Sequence, residues 1–114
     1  MIMADNEINK PSRKRFLSSC VLEMCVLSLL SREECYGYKL SKNVGLEVTE
    51  STLYPVLRRL EEQGFLISHR DAQNSKLRKV YAMTPDGIKR LEELKNEWRD
   101  FAKSVNALLE QTID

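Results

Sequence analysis

Equipment for catalysis is scarce in this chain. Histidine occurs once, at His69, and no His, Cys, Asp or Glu residues cluster with metal-ligand spacing. The four glycines build no phosphate-cradling loop, and no nucleophile stands beside a base. Glu33-Glu34, Glu61-Glu62 and Glu92-Glu93 are sequence neighbours, so on helices they diverge and suit solvated faces rather than acid–base work. These lacks exclude an enzyme, and no cofactor is expected. Three cysteines, an odd number without C-x-x-C spacing, exclude a disulfide framework and a zinc site and point to a reducing compartment. Cys20 and Cys25 read as small buried hydrophobes, with a thiol sensor as the competing reading. Nothing approaches the roughly 18 consecutive apolar residues of a membrane span. The most apolar run, Cys20 to Leu30, is broken by Glu23 and Ser28. Met1 to Lys14 lacks the apolar core of a secretory signal, so a cytoplasmic protein with no membrane partner is expected.

What is present describes one ordinary globular unit: 114 residues, 42% hydrophobic and 31% charged. The net charge of +1 conceals an asymmetry. Residues 1–83 hold 13 basic and 10 acidic side chains, residues 84–114 hold 5 and 7. The basic excess gathers in Lys10-Pro11-Ser12-Arg13-Lys14-Arg15, in Arg58-Arg59 and in Lys76-Leu77-Arg78-Lys79. A footprint this modest favours a nucleic-acid binder that works as two copies.

Residues 1–15 form a polar, basic arm expected to be flexible. A first helix is expected from about Phe16 to Leu30, apolar around nearly its whole circumference and therefore covered from more than one side. A second follows over about Cys35 to Val44, and Gly45-Leu46-Glu47-Val48 leads tightly into a third. That third helix has the strongest local signals. Thr49 is its N-cap, Val48 and Leu53 its hydrophobic staple, and Gly64 its left-handed exit. Leu53, Val56, Leu57 and Leu60 form the buried stripe, while Ser51, Thr52, Tyr54, Arg58 and Arg59 lie off it. Small hydroxyls, a tyrosine and arginines near a helix N-terminus suit base edges and phosphates; a plain solvated face is the competing reading. Pro55, inside the second turn, should bend or loosen the helix front.

Phe65–Asp71 and Leu77–Met83 alternate as strands around a polar tip, Ala72–Lys76. A two-stranded ribbon is marginal alone and must lean on the helices. Three helices and a hairpin make a winged helix-turn-helix. Thr84-Pro85-Asp86 then opens a last helix. Along it Leu91, Leu94, Trp98, Phe101, Val105 and Leu108 alternate spacings of three and four, a heptad seam for which a two-fold dimer is the simplest partner. The fold class is thus mainly α with a small β-hairpin wing (α+β). A winged helix-turn-helix spans residues 16–84 and a dimerisation helix residues 85–114.

Three pieces carry a family resemblance: Tyr36-Gly37-Tyr38-Lys39-Leu40; Thr52-Leu53-Tyr54-Pro55-Val56-Leu57-Arg58-Arg59-Leu60-Glu61 followed by Gly64; and Arg78-Lys79-Val80-Tyr81-Ala82-Met83-Thr84. With them the chain resembles the PadR family of transcriptional regulators from about Leu17 to the end of the last helix. Pro55 matches a proline usual at that motif position. Ser75 stands where the wing usually has a glycine, leaving Asn74 to take the left-handed position, and Val80 replaces a frequent aromatic.

The resemblance implies a homodimeric repressor of a two-fold DNA operator. It adds Tyr38, Lys39 and Pro55 to the DNA-facing set of Ser51, Thr52, Tyr54, Arg58, Lys76, Arg78 and Lys79. Arg78 or Lys79 could instead serve in a surface ion pair. Some small relatives take flat aromatic or drug-like effectors between subunits, which makes Trp98 the candidate effector contact; packing in the seam is its competing role. Partners are therefore double-stranded DNA, a second copy and a small planar aromatic effector. A winged-helix module that binds protein instead of DNA is the alternative. His69 reads as structural or surface.

Overall fold

Ser18 decides where the first helix begins. In the computed structural model, which describes residues 13–73 and 76–111, its hydroxyl accepts the Val21 N–H at 3.2 Å. Helix α1 (Ser19–Leu30) follows. Arg13–Phe16 is a separate 3-10 turn, so the start expected near Phe16 moves to the serine cap. The part of the expected arm before Arg13 lies outside the described residues.

The next difference is a strand that local pattern did not reveal. Cys35–Tyr36, expected to open the second helix, form strand β1, and helix α2 is Gly37–Val44. Helix α3 (Glu50–Glu62), strand β2 (Leu66–Gln73), strand β3 (Lys76–Met83) and helix α4 (Pro85–Leu109) complete the order. The sheet is antiparallel with order β1-β3-β2. Cys35 faces Tyr81 and Tyr36 faces Val80, while β2 and β3 pair from Leu66↔Met83 to Gln73↔Lys76. The hairpin is thus a three-stranded sheet. Its third strand supplies the support that a two-stranded ribbon lacks. Both hairpin strands run further toward the tip than expected; Asn74 and Ser75 lie outside the described residues.

Helix α3 follows its sequence signals closely. Thr49 caps it, its Oγ1 accepting the Thr52 N–H at 3.4 Å, and the staple residues Val48 and Leu53 are both buried. At the other end Gly64 takes φ 84°. The Phe65 N–H reaches the Leu60 carbonyl at 2.9 Å, and the Gly64 N–H reaches that of Glu61 at 3.0 Å. This is a Schellman ending, and only glycine takes that φ without strain. Pro55 lies inside the helix, which continues through it as one element.

The core gathers Leu22, Val26, Leu27 and Leu30 of α1, Leu40 of α2, the α3 stripe, Leu66, Tyr81, and Leu91 and Leu94 of α4. Helix α4 is seated by a dense junction. The Thr84 hydroxyl donates to the Gly64 carbonyl at 2.7 Å and accepts the Gly87 N–H at 3.0 Å; the Thr84 N–H reaches the Phe65 carbonyl at 3.2 Å. A Cβ on Gly87 would stand 2.1 Å from that same Phe65 oxygen, so no side chain fits there. Further along, the Arg90 Nε donates to Glu23 Oε1 at 3.2 Å, and the guanidinium lies 5.7 Å from the Phe65 ring centroid. Glu23 is only 5% exposed, so this ion pair satisfies a buried carboxylate.

The heptad seam divides. Leu91 and Leu94 are 3% exposed and belong to the chain's own core, whereas Trp98 and Phe101 are 47% and 63% exposed. Leu108 is open as well. Leu91 and Leu94, expected in the dimerisation seam, pack instead within the chain's own core, while the later seam residues Trp98, Phe101 and Leu108 stay exposed.

Candidate nucleic-acid interface

The front of α3 presents a knot of hydroxyls. Thr49 Oγ1 lies 3.0 Å from Ser51 Oγ and 3.2 Å from Thr52 Oγ1, and Ser51 and Thr52 are exposed. The helix dipole makes this end electropositive, a suitable place for an anion or a polar base edge. One turn on, the half-exposed Tyr54 donates its hydroxyl to Glu50 Oε2 at 3.2 Å. Burial first, then the Glu50 charge and hydrogen bond, raise its pKa, so it stays a neutral phenol. Gly37 allows α2 to lie against this ring: a Cβ there would come 3.0 Å from Tyr54 Cε1. Pro55 and Arg58 are exposed on the same helix.

The sheet approaches from the other side. The Arg78 guanidinium carbon sits 5.6 Å from the Tyr36 ring centroid and 5.1 Å from that of Tyr38. The two rings stack at 5.9 Å with 18° between their planes, and Lys42 Nζ lies 5.9 Å from the Tyr38 centroid. The Tyr36 hydroxyl donates to Asp71 Oδ2 at 3.0 Å. Desolvation raises the Tyr36 pKa, and the Asp71 bond adds to it. Lys79 is tied to Glu61 at 3.5 Å, and Glu61 also accepts the Ser68 hydroxyl at 2.5 Å. The ion-pair role left open between Arg78 and Lys79 thus belongs to Lys79. Burial, then the Glu61 charge, raise the pKa of Tyr81, with Arg58 opposing.

A groove of about 410 Å³ collects Tyr36, Tyr38, Glu50, Tyr54, Arg78, Lys79 and Tyr81. Four of the sequence-derived residues (Tyr38, Tyr54, Arg78, Lys79) therefore meet around one concavity. Ser51, Thr52, Pro55 and Arg58 follow on the exposed side of α3. Lys39 is exposed and pairs with Glu33 at 3.5 Å. The Lys76 side chain lies outside the described residues. Sequence reasoning missed Tyr36, Asp71, Glu50, Tyr81 and Lys42. Tyr36 was signalled by its place two residues before Tyr38; Asp71 carried no signal, because its partner is 35 residues away.

A second concavity lies between α1 and α4, about 400 Å³ and lined by Cys20, Val21, Met24, Leu94, Trp98 and Phe101 among others. The Trp98 and Phe101 rings are 6.3 Å apart and tilted by 40°. Cys20, expected to be buried, is exposed here because the outward strip of α1 faces this groove. Cys25 is half-buried and Cys35 buried, and desolvation raises both thiol pKa values. His69 is exposed on β2. Among the described residues no helix is long and apolar enough to cross a membrane, and no three His, Cys, Asp or Glu could hold a metal ion.

Comparison with known proteins bears on the family and the fold. A family model described as the transcriptional regulator PadR-like family matches residues 26–93. A PadR family transcriptional regulator from Eggerthella lenta is 38% identical, with a TM-score of 0.75 over 97% of this chain and 95% of that one. A PadR-like transcriptional regulator from Bacillus cereus is 35% identical, with a TM-score of 0.72 over 81% and 94%. A transcriptional regulator of Mycobacterium tuberculosis is 30% identical over 94 residues, 80% of this chain and 88% of its own length.

Proposed function

We propose, from the premise that this chain belongs to the PadR-like family of transcriptional regulators, that it acts as a homodimeric repressor on double-stranded DNA. The family is one of regulators and not of enzymes. One observation carries the DNA reading: the exposed hydroxyls at the α3 N-terminus share a face with Tyr54 and Arg58 and adjoin the groove holding Arg78. In this reading Ser51 and Thr52 enter the major groove, Tyr54, Pro55 and Arg58 follow its edge and phosphates, and Tyr38, Lys39, Lys76, Arg78 and Lys79 meet the flanking backbone. Two copies joined through α4 present two such faces, so the operator is two-fold with half-sites about one helical turn apart, or a multiple.

The test is an electrophoretic titration of the protein against its own upstream DNA at two salt concentrations. Affinity should fall steeply with salt, and Arg58→Ala should weaken binding across sequences while flattening that slope. Binding indifferent to both salt and Arg58 would instead favour a module that recognises protein.

The exposed Trp98 and Phe101 support the dimer and, between its two copies, a planar aromatic effector. Such a ligand changes DNA affinity by binding one spacing of the two heads better than another. Quenching of the single tryptophan by a panel of planar cationic and aromatic compounds tests it; unchanged emission across the panel would remove the effector.

A further inference from the structure

Asp71 and Arg78 stand directly opposite each other across the β2–β3 ladder. Opposite charges in that relation ordinarily attract and pair. Here they are kept apart. The Tyr36 hydroxyl occupies Asp71 Oδ2, and the Arg78 guanidinium lies over the stacked rings of Tyr36 and Tyr38. Among the described residues no salt bridge involves Arg78, whereas its neighbour Lys79 is held by Glu61.

We propose that Tyr36 and Asp71 are positioning residues for DNA binding: together with Tyr38 they hold Arg78 as an unneutralised guanidinium, aimed at the phosphate backbone. The aromatic platform takes no N–H bond from the guanidinium and leaves its N–H edge for a phosphate, which it can grip with two parallel bonds. The Tyr36 hydroxyl does the second half of the work by engaging Oδ2 and holding in place the carboxylate that would otherwise capture that edge. Lys79 lies over the Tyr81 ring at 5.7 Å but is already paired with Glu61, so its charge is shared with a carboxylate. Of these two neighbouring cations, Arg78 is the prepared one. The inference rests on the DNA-binding reading above.

The test measures affinity and salt slope for the protein's own upstream DNA with Tyr36→Phe, Tyr36→Phe/Asp71→Asn, Arg78→Ala and Tyr36→Phe/Arg78→Ala. Tyr36→Phe keeps the ring platform but releases Asp71. Binding should weaken about tenfold or more, with the salt slope reduced by about 1 per protomer. Adding Asp71→Asn should restore both, a rescue that a merely loosened sheet would not give. Arg78→Ala should cause the same loss and should not be worsened by Tyr36→Phe. The proposal is overturned by a Tyr36→Phe protein that binds like wild type, by failure of Asp71→Asn to rescue it, or by a Tyr36→Phe loss that persists without Arg78. Wild-type protein with no salt-dependent DNA binding would instead bring down the DNA reading itself, and this assignment with it.

Discussion

The two halves of α4 carry one sequence pattern and meet opposite fates. Leu91 and Leu94 in the first half are enclosed by the chain's own core, and Arg90 joins Glu23 of α1 beside them. Trp98, Phe101 and Leu108 continue the same spacing in the second half but stand exposed. Periodicity therefore specifies which face of a helix is apolar and not whose atoms cover it. Coverage depends on where neighbouring elements end, and α1 ends its support of α4 near the Trp98 groove.

Four substitutions can break or sharpen this contrast. The largest effect belongs to Leu91→Ala, which should lower unfolding stability by about 3 kcal/mol, as expected for an enclosed leucine. Chemical denaturation should give this loss at every protein concentration, because the site lies within one protomer. Arg90→Met comes next, at about 2 kcal/mol, since it leaves the Glu23 carboxylate buried without its cation. Thermal melts of the variant beside the wild type should show this loss.

Phe101→Glu should act differently, weakening self-association by about tenfold or more in sedimentation while each protomer keeps its own fold. A monomer destabilised as much as by Leu91→Ala would erase the distinction between the halves. The smallest effect is expected for Lys95→Ala. It removes an exposed pair with Glu92 at 3.3 Å and should change stability by no more than about 0.5 kcal/mol in the same denaturation assay.

What could be read in advance follows from how local each determinant is. The limits of α3 were legible because Thr49, Val48, Leu53 and Gly64 all act within one turn of the helix ends they set. Thr84 and Pro85 marked the start of α4 for the same reason. Strand β1 was not legible: two residues have no period, and Cys35–Tyr36 become a strand only by pairing with Val80 and Tyr81. Apolar spacing alone puts the start of α1 too early, since apolar residues continue back past Ser18, and the serine's capping bond outweighs that pattern. The all-round apolar character of α1 points Cys20 to the core, although one strip of that helix faces an open groove. At the candidate interface Ser51, Thr52, Tyr54 and Arg58 could be singled out from one helix. The Tyr36–Asp71–Arg78 arrangement needed three strands to be brought together.

The lack of room beside Gly87 has a mechanical meaning. Its backbone touches the Phe65 carbonyl, and Thr84 is bonded to Gly64 and Phe65, so the foot of α4 is welded to the tail of α3. Helix α4 has 25 residues and is therefore about 37 Å long. With such a lever, a rotation of about 5° at the weld sweeps the far tip through about 3 Å. Small errors in how this helix is seated are thus enlarged at its far end by leverage, and a methyl group at position 87 would loosen the fulcrum.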